Sequence, residues 1–142
     1  MIEQLTVLLQ NEKGRLSQLC RDLADAGINM HDLFVADTSD FGIVRIFCDT
    51  PRKAASVLDA NGYRARVVDV LAVRVPNEPG GLAGLLETIE GTGNNIEYGY
   101  CFSRGEDTAI DVLKVADESI EATLFEAGFD IVKAEEVYRL DE

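Results

Sequence analysis

Asn11-Glu12-Lys13-Gly14-Arg15-Leu16 and Asn77-Glu78-Pro79-Gly80-Gly81-Leu82 are one motif written twice. Gly14 and Gly80 stand 66 residues apart, and the same offset pairs Leu5 with Leu71, Val7 with Val73 and Leu19 with Leu85. It also pairs Gly27 with Gly93, Asn29 with Asn95, Leu58 with Leu124 and Gly62 with Gly128, with no gap needed. Matches recur along the whole chain, which marks an internal duplication. The expected domains are residues 1–68 and 69–142.

Each copy reads in the same order. A short β-rich run, Leu5 to Leu9 or Leu71 to Val75, leads into the glycine turn. Leu16, Leu19, Cys20 and Leu23 then follow the i, i+3, i+4, i+7 spacing of a helix, matched by Leu82, Leu85, Leu86 and Ile89. Two strands come next, Met30–Asp37 and Phe41–Phe47, turning at Thr38-Ser39-Asp40; their counterparts are Ile96–Ser103 and Thr108–Val115. Thr50-Pro51 signals a second helix, as an N-cap with proline in the first turn. Asp117-Glu118 opens its partner. The fourth strands are expected at Arg66–Ala72 and Val132–Tyr138. The order βαββαβ predicts an α+β fold: two tandem ferredoxin-like units, each an antiparallel sheet with its helices on one face. No turn residue separates the first copy's last strand from the second copy's first, so one continuous strand is expected at the junction. Apolar residues on both strand faces imply that the helix-free face is also partly covered.

The chain has 142 residues, 46% of them hydrophobic and 27% charged, a composition that supports packed cores rather than disorder. A net charge of −13, spread along the sequence, disfavours nucleic acid and anionic membranes, which require clustered Lys and Arg. Cys20, Cys48 and Cys101 are far apart and unpatterned, as in a reduced intracellular protein. The N-terminal sequence has no basic n-region, and no apolar run reaches the length that spans a bilayer; a cytoplasmic location is expected.

The glycine turns carry the chemistry. Glycine lets the backbone turn sharply and approach a ligand. The helix that follows leaves its first N–H groups unpaired at a partly positive end, a site suited to a carboxylate. Asn11 or Asn77 adds an amide, and Leu16 and Leu82 are expected to close an apolar floor under the loop. The pattern Asn-x-x-Gly-x-Leu between the first strand and first helix of a βαββαβ unit resembles the ACT domain. So does Ala26-Gly27-Ile28-Asn29-Met30, echoed by Gly93-Asn94-Asn95-Ile96. The resemblance covers essentially the whole chain, as two tandem ACT-like units without a catalytic domain. It implies a non-catalytic regulator that binds a small molecule, usually an amino acid, between paired ACT units. Carried over by motif, one site uses Asn11, Gly14, Arg15 and Leu16 with Asn29 and Met30. The other uses Asn77, Gly80, Gly81 and Leu82 with Asn95 and Ile96. Lys13 departs from the proline common in the family, and the second copy has that proline at Pro79. The two sites are therefore expected to differ.

The remaining residues suggest no catalysis. His31 is the lone histidine, with Glu97 as its counterpart, and reads as an exposed or interface residue. Tyr98, Tyr100 and Phe102 alternate at strand spacing and read as packing. Asp37, Asp40, Glu106 and Asp107 read most simply as turn residues, with a ligand's amino group or cationic side chain as the alternative they could face. Neither a phosphate-binding loop nor a dinucleotide fingerprint, catalytic triad or metal-ligand spacing is present. No cofactor or metal is implied. The leading expectation is an amino-acid sensor acting as a homodimer. The alternative is a structural or regulatory subunit that binds a partner enzyme without a metabolite. A small phosphate-handling enzyme is the third reading, supported only by the loose match of Arg15 and Asn11.

Overall fold

The computed structural model describes residues 1–37 and 41–142, so the turn at Thr38-Ser39-Asp40 lies outside the described residues. The elements follow in the order β1 (Ile2–Gln10), α1 (Arg15–Asp25), β2 (Met30–Asp37), β3 (Phe41–Cys48), α2 (Pro51–Ala60) and β4 (Arg64–Pro76). Then come α3 (Gly81–Gly91), β5 (Ile96–Arg104), β6 (Thr108–Val115), α4 (Ile120–Glu126) and the two-residue β7 (Asp130–Ile131). Strand β4 is unbroken, as its turn-free sequence implies. Two compact units result: Glu3–Val68 with Ala134–Glu142, and Asp69–Lys133 with Met1–Ile2.

In the first of these the strand order is β2-β3-β1-β4, antiparallel from β2 to β3 to β1. Strand period sends Leu5, Val7 and Leu9 of β1 to one face. There they meet Val44 and Ile46 of β3, Leu19 and Leu23 of α1, and Ala54 and Leu58 of α2 in one buried cluster. Both helices therefore cover the same face. The second unit repeats the plan, with β4 between β6 and β7, and β5 outside β6. Leu71, Val73 and Val75 pack there with Leu85 and Ile89 of α3, Ile120 and Leu124 of α4, and Leu113 and Val115.

The expected final strand, Val132–Tyr138, does not form. After β7 the Val132 N–H still donates to the Ala72 carbonyl at 2.8 Å, and then the chain enters a 3-10 turn at Ala134–Glu136. The residues beyond find better partners in the unit of Glu3–Val68. The Tyr138 ring stacks on Phe47 with centroids 6.5 Å apart, and its hydroxyl accepts from the Glu3 N–H at 2.8 Å. Aromatic burial and a satisfied backbone donor replace a few more ladder bonds.

The same segment corrects the expected cap of α2. Thr50 holds the N-cap position, but its side chain makes no capping bond, and its φ of 46° is left-handed. It is the one non-glycine residue with positive φ among the described residues. Asp141 does the capping: its carboxylate accepts from the Arg52 N–H at 2.9 Å and the Lys53 N–H at 3.0 Å. A negative group at a helix start satisfies orphan donors and opposes the helix dipole. Removing it in Asp141→Ala should cost about 1 kcal/mol, seen as a lower urea midpoint, while Glu142→Ala should leave the midpoint unchanged.

Candidate functional site

Both glycine turns have one geometry. Gly14 has φ 87° and ψ −9°, Gly80 has φ 88° and ψ −9°, and each occupies the N-cap position of the helix it precedes. Neither helix start has a side-chain cap or an acid in its first turn. The Arg15 and Gly81 N–H groups donate to the Glu12 and Glu78 carbonyls at 3.3 and 3.1 Å, which leaves the N–H groups next in each helix to meet an anion. The turns differ in what surrounds them. The Arg15 guanidinium lies 5.6 Å from the centre of the Tyr63 ring, and the Tyr63 hydroxyl donates to Asp22 Oδ2 at 2.8 Å. Burial, and then the Asp22 carboxylate, push the Tyr63 phenol up to about 12, keeping it a donor. Arg15 Nε is buried without a partner. Gly81, in the same place in the second copy, has no such network. A Cβ there would stand 2.1 Å from the Pro76 carbonyl oxygen, so close backbone approach requires glycine.

Asn11 is exposed beside its turn. Asn77 is engaged: its side-chain amide donates to the Gly105 carbonyl at 2.7 Å, and its backbone N–H donates to the Asp107 carbonyl at 2.9 Å. It ties the βα turn to the β5–β6 turn. Leu16 and Leu82 do not close a floor under the loops. They are 37% and 42% exposed, because Leu19 and Leu23, or Leu85 and Ile89, hold the buried stripe of each helix. Each instead flanks a groove beside its helix. The first groove, about 760 Å³, brings together Gly14, Leu16, Cys20, Ala24 and Leu33. The second, about 460 Å³, brings together Leu82, Leu86, Glu90, Ile96 and Gly99 with Cys101, Asp111 and Leu113. By the 66-residue offset these are the same place in the two copies. Asn29 and Met30 stand at the other end of α1 from Gly14, about 16 Å of helix away. The Asn29 and Asn95 carbonyls accept from the Asp49 and Ala116 N–H groups at 3.0 Å, and Met30 packs against its core.

Strand register uncovers a residue that the sequence reading passed over. Val7 pairs with Val44 and Val73 pairs with Asp111, while Val35 pairs with Val44 and Cys101 pairs with Asp111. Asp111 thus occupies the place of Val44, at an offset of 67. A bulge between Cys101 and Ser103 supplies the extra residue, Phe102, and α4 is back at 66, with Leu124 matching Leu58. The gap-free alignment is therefore corrected across β6. It had set Asp111 against Arg45, away from the core. Asp111 is 8% exposed, and burial raises its carboxyl above the ordinary carboxylate range. An aspartate inside Ala109-Ile110-Asp111-Val112-Leu113 was the available signal.

His31 lies elsewhere. Its Nε2 is 2.8 Å from Asp49 Oδ1, which also accepts from the Arg139 N–H at 2.7 Å. These bonds, the Arg139 N–H first and His31 second, hold the Asp49 carboxyl below its ordinary value of 3.8. The pair joins β2, the start of α2 and the C-terminal segment. Among the described residues no group of three or more His, Cys, Asp or Glu side chains is placed to hold a metal ion, and no helix is long and apolar enough to cross a membrane.

Comparison with known proteins fits this geometry. The model of the ACT domain pair matches residues 1–140. The chain belongs to the ACT domain pair family. A Bacteroides thetaiotaomicron protein of known structure is 33% identical over 98% of this chain and 96% of its own, with a TM-score of 0.89. The regulatory subunit of aspartate kinase from Thermus thermophilus shares the fold, at 18% identity over 88% of this chain and 89% of its own, with a TM-score of 0.65. No curated protein matches the sequence.

Two substitutions in α3 of this ACT pair should have opposite signs. Gly81→Ala drives a methyl into the Pro76 carbonyl and should cost about 2 kcal/mol. Gly84→Ala, where nothing lies within 4 Å, should add about 0.5–1 kcal/mol of helix propensity. Denaturant midpoints compare them. Asp49 gives a pH test. Its folded-state pKa is depressed, so its contribution is present above the unfolded value and is lost as pH falls through the folded one. Asp49→Asn should therefore melt below wild type at pH 6, with the gap closing toward pH 3.

Proposed function

We propose that this protein is a non-catalytic regulator that binds an amino acid at the Asn-x-x-Gly-x-Leu turns of its paired ACT units. The observation that carries the reading is the duplicated turn. A left-handed glycine precedes an uncapped helix start in both copies, and each leucine that follows borders a groove. The helix start suits the ligand carboxylate, and the apolar groove suits an aliphatic body. Family membership supports regulation rather than turnover. The reading includes a cytoplasmic location and a homodimer, in which ligand shifts the pairing by its difference in affinity between two arrangements.

A second reading, a subunit that docks on a partner enzyme without a metabolite, draws on one observation. Strand β2 lies at the edge of its unit's sheet and exposes Leu33, Phe34 and Val35, with Phe41 exposed at the start of β3. An exposed apolar edge is a ready surface for another chain. Melting the protein with each of the twenty amino acids at several millimolar separates the two. One site at 100-fold over Kd adds about 2.7 kcal/mol, a shift of a few degrees at this size. Shifts with one or two amino acids, lost site by site in Gly14→Val or Gly80→Val, are the expected result. Twenty flat traces would favour the docking subunit.

A further inference from the structure

Asp111 is the feature of the second unit that packing does not account for. It points to the helix-covered side of β6, the side that buries Leu113 and Val115. The equivalent residue in the first unit, Val44, is fully buried among apolar side chains. Asp111 is more than nine-tenths buried, and among the described residues no hydrogen bond or ion pair engages its carboxylate. Its oxygens are not fully sealed from solvent, yet an unpaired carboxylate at this burial is costly to keep. The groove beside α3 reaches it: Asp111 lines that cavity together with Leu82, Leu86 and Leu113. The opening exists because Gly99 stands where the first unit has Leu33. A Cβ there would come within 2.6 Å of Leu113 Cδ2 and 3.1 Å of the Val112 carbonyl oxygen, so a larger residue would have to displace the Leu113 side chain. Glu90 lines the same groove, and no Lys, Arg or His does. The first unit's groove has Arg21 as well as Glu12 on its walls and no buried acid.

We propose that the groove between α3 and β5 is a binding site for a primary ammonium group on a short aliphatic body, with Asp111 as the anion that receives the ammonium. Leu82, Leu86 and Leu113 pack the body. The assignment deepens the amino-acid reading, on which it rests, by naming the copy that binds and the group that is recognised. Charge complementarity selects the occupant. An anionic ligand would meet two carboxylates, and a purely apolar one would leave the buried acid unpaired. A primary ammonium satisfies it with up to three donors.

The test uses the full chain and n-butylammonium chloride, which has the ammonium and the aliphatic body but no carboxylate. Amide shifts are followed by NMR, with tetramethylammonium chloride at equal ionic strength as the control. The wild type should show saturable shifts at Gly99, Cys101 and Leu113, and Asp111→Asn should raise the Kd at least about tenfold. Asp111→Val, which restores the residue of the first copy, should lose the shifts and melt above the wild type without ligand. No saturable shift in the wild type, or equal shifts in Asp111→Asn, would overturn the assignment. The amino-acid screen is read separately. Amino acids that shift the melting of wild type and Asp111→Asn equally would keep the sensor and remove this site. Butylammonium binding beside twenty flat amino-acid traces would keep the site and remove the sensor.

Discussion

A strand turns alternate side chains to opposite faces, so the register between neighbouring strands decides what becomes core. In each unit that register is set where the central strand meets the second strand of the neighbouring hairpin. Leu5 opposite Ile46 and Val7 opposite Val44 put four apolar side chains under α1 and α2. Leu71 opposite Leu113 repeats the first pair, but Val73 lies opposite Asp111. The inserted Phe102 makes this difference, because it advances β6 by one residue against the repeat. The pairings of Asp111 with Val73 and with Cys101 keep it on the face of Leu113, and the bulge lies on the turn side of those pairs.

Two aspartates show how environment divides one residue type. Asp49 accepts from the Arg139 N–H and contacts His31, and its carboxyl is held below the ordinary range. Asp111 has burial and no partner among the described residues, and its carboxyl is raised. The first stabilises the fold when ionised and the second opposes it, so only the first is explained by structure alone. A cost retained in a core is the usual mark of a site under functional constraint.

Most of the fold was legible because its signals are local. The helix stripes at Leu19 and Leu23, the proline at Pro51 and the glycine turns need only neighbours a few residues away, and the helices they signal appeared where expected. What escaped depends on distant partners. Asp141 caps α2 from 88 residues downstream of Lys53, and the pull of Phe47 on Tyr138 ends the last strand after Ile131. No local pattern encodes either contact. At the candidate site the glycines were readable from the motif. The direction of Leu16 and Leu82 was not, since a helical stripe does not tell its buried members from its flank. Asp111 was hidden for a different reason. One offset applied to the whole chain assigned it the wrong structural equivalent, and a one-residue bulge leaves too little trace in a single sequence.

Comparing the copies position by position shows where duplication has been kept and where it has been abandoned. The packing residues persist: Val7 and Val73, Leu19 and Leu85, Leu58 and Leu124. The turns and grooves differ as well. Arg15, Tyr63 and Asp22 form a connected polar group beside the first turn. Their counterparts are Gly81, Phe129 and Thr88, with Thr88 bonded to its own helix at Gly84. The first copy therefore fills the flank of its turn with a guanidinium stacked on a ring, while the second leaves it bare and holds its charge in the groove. The core is not exempt from change, since buried Val44, Ile28 and Ala54 have Asp111, Asn94 and Ile120 as their counterparts; the scaffold is shared, and the charge beside each turn is not.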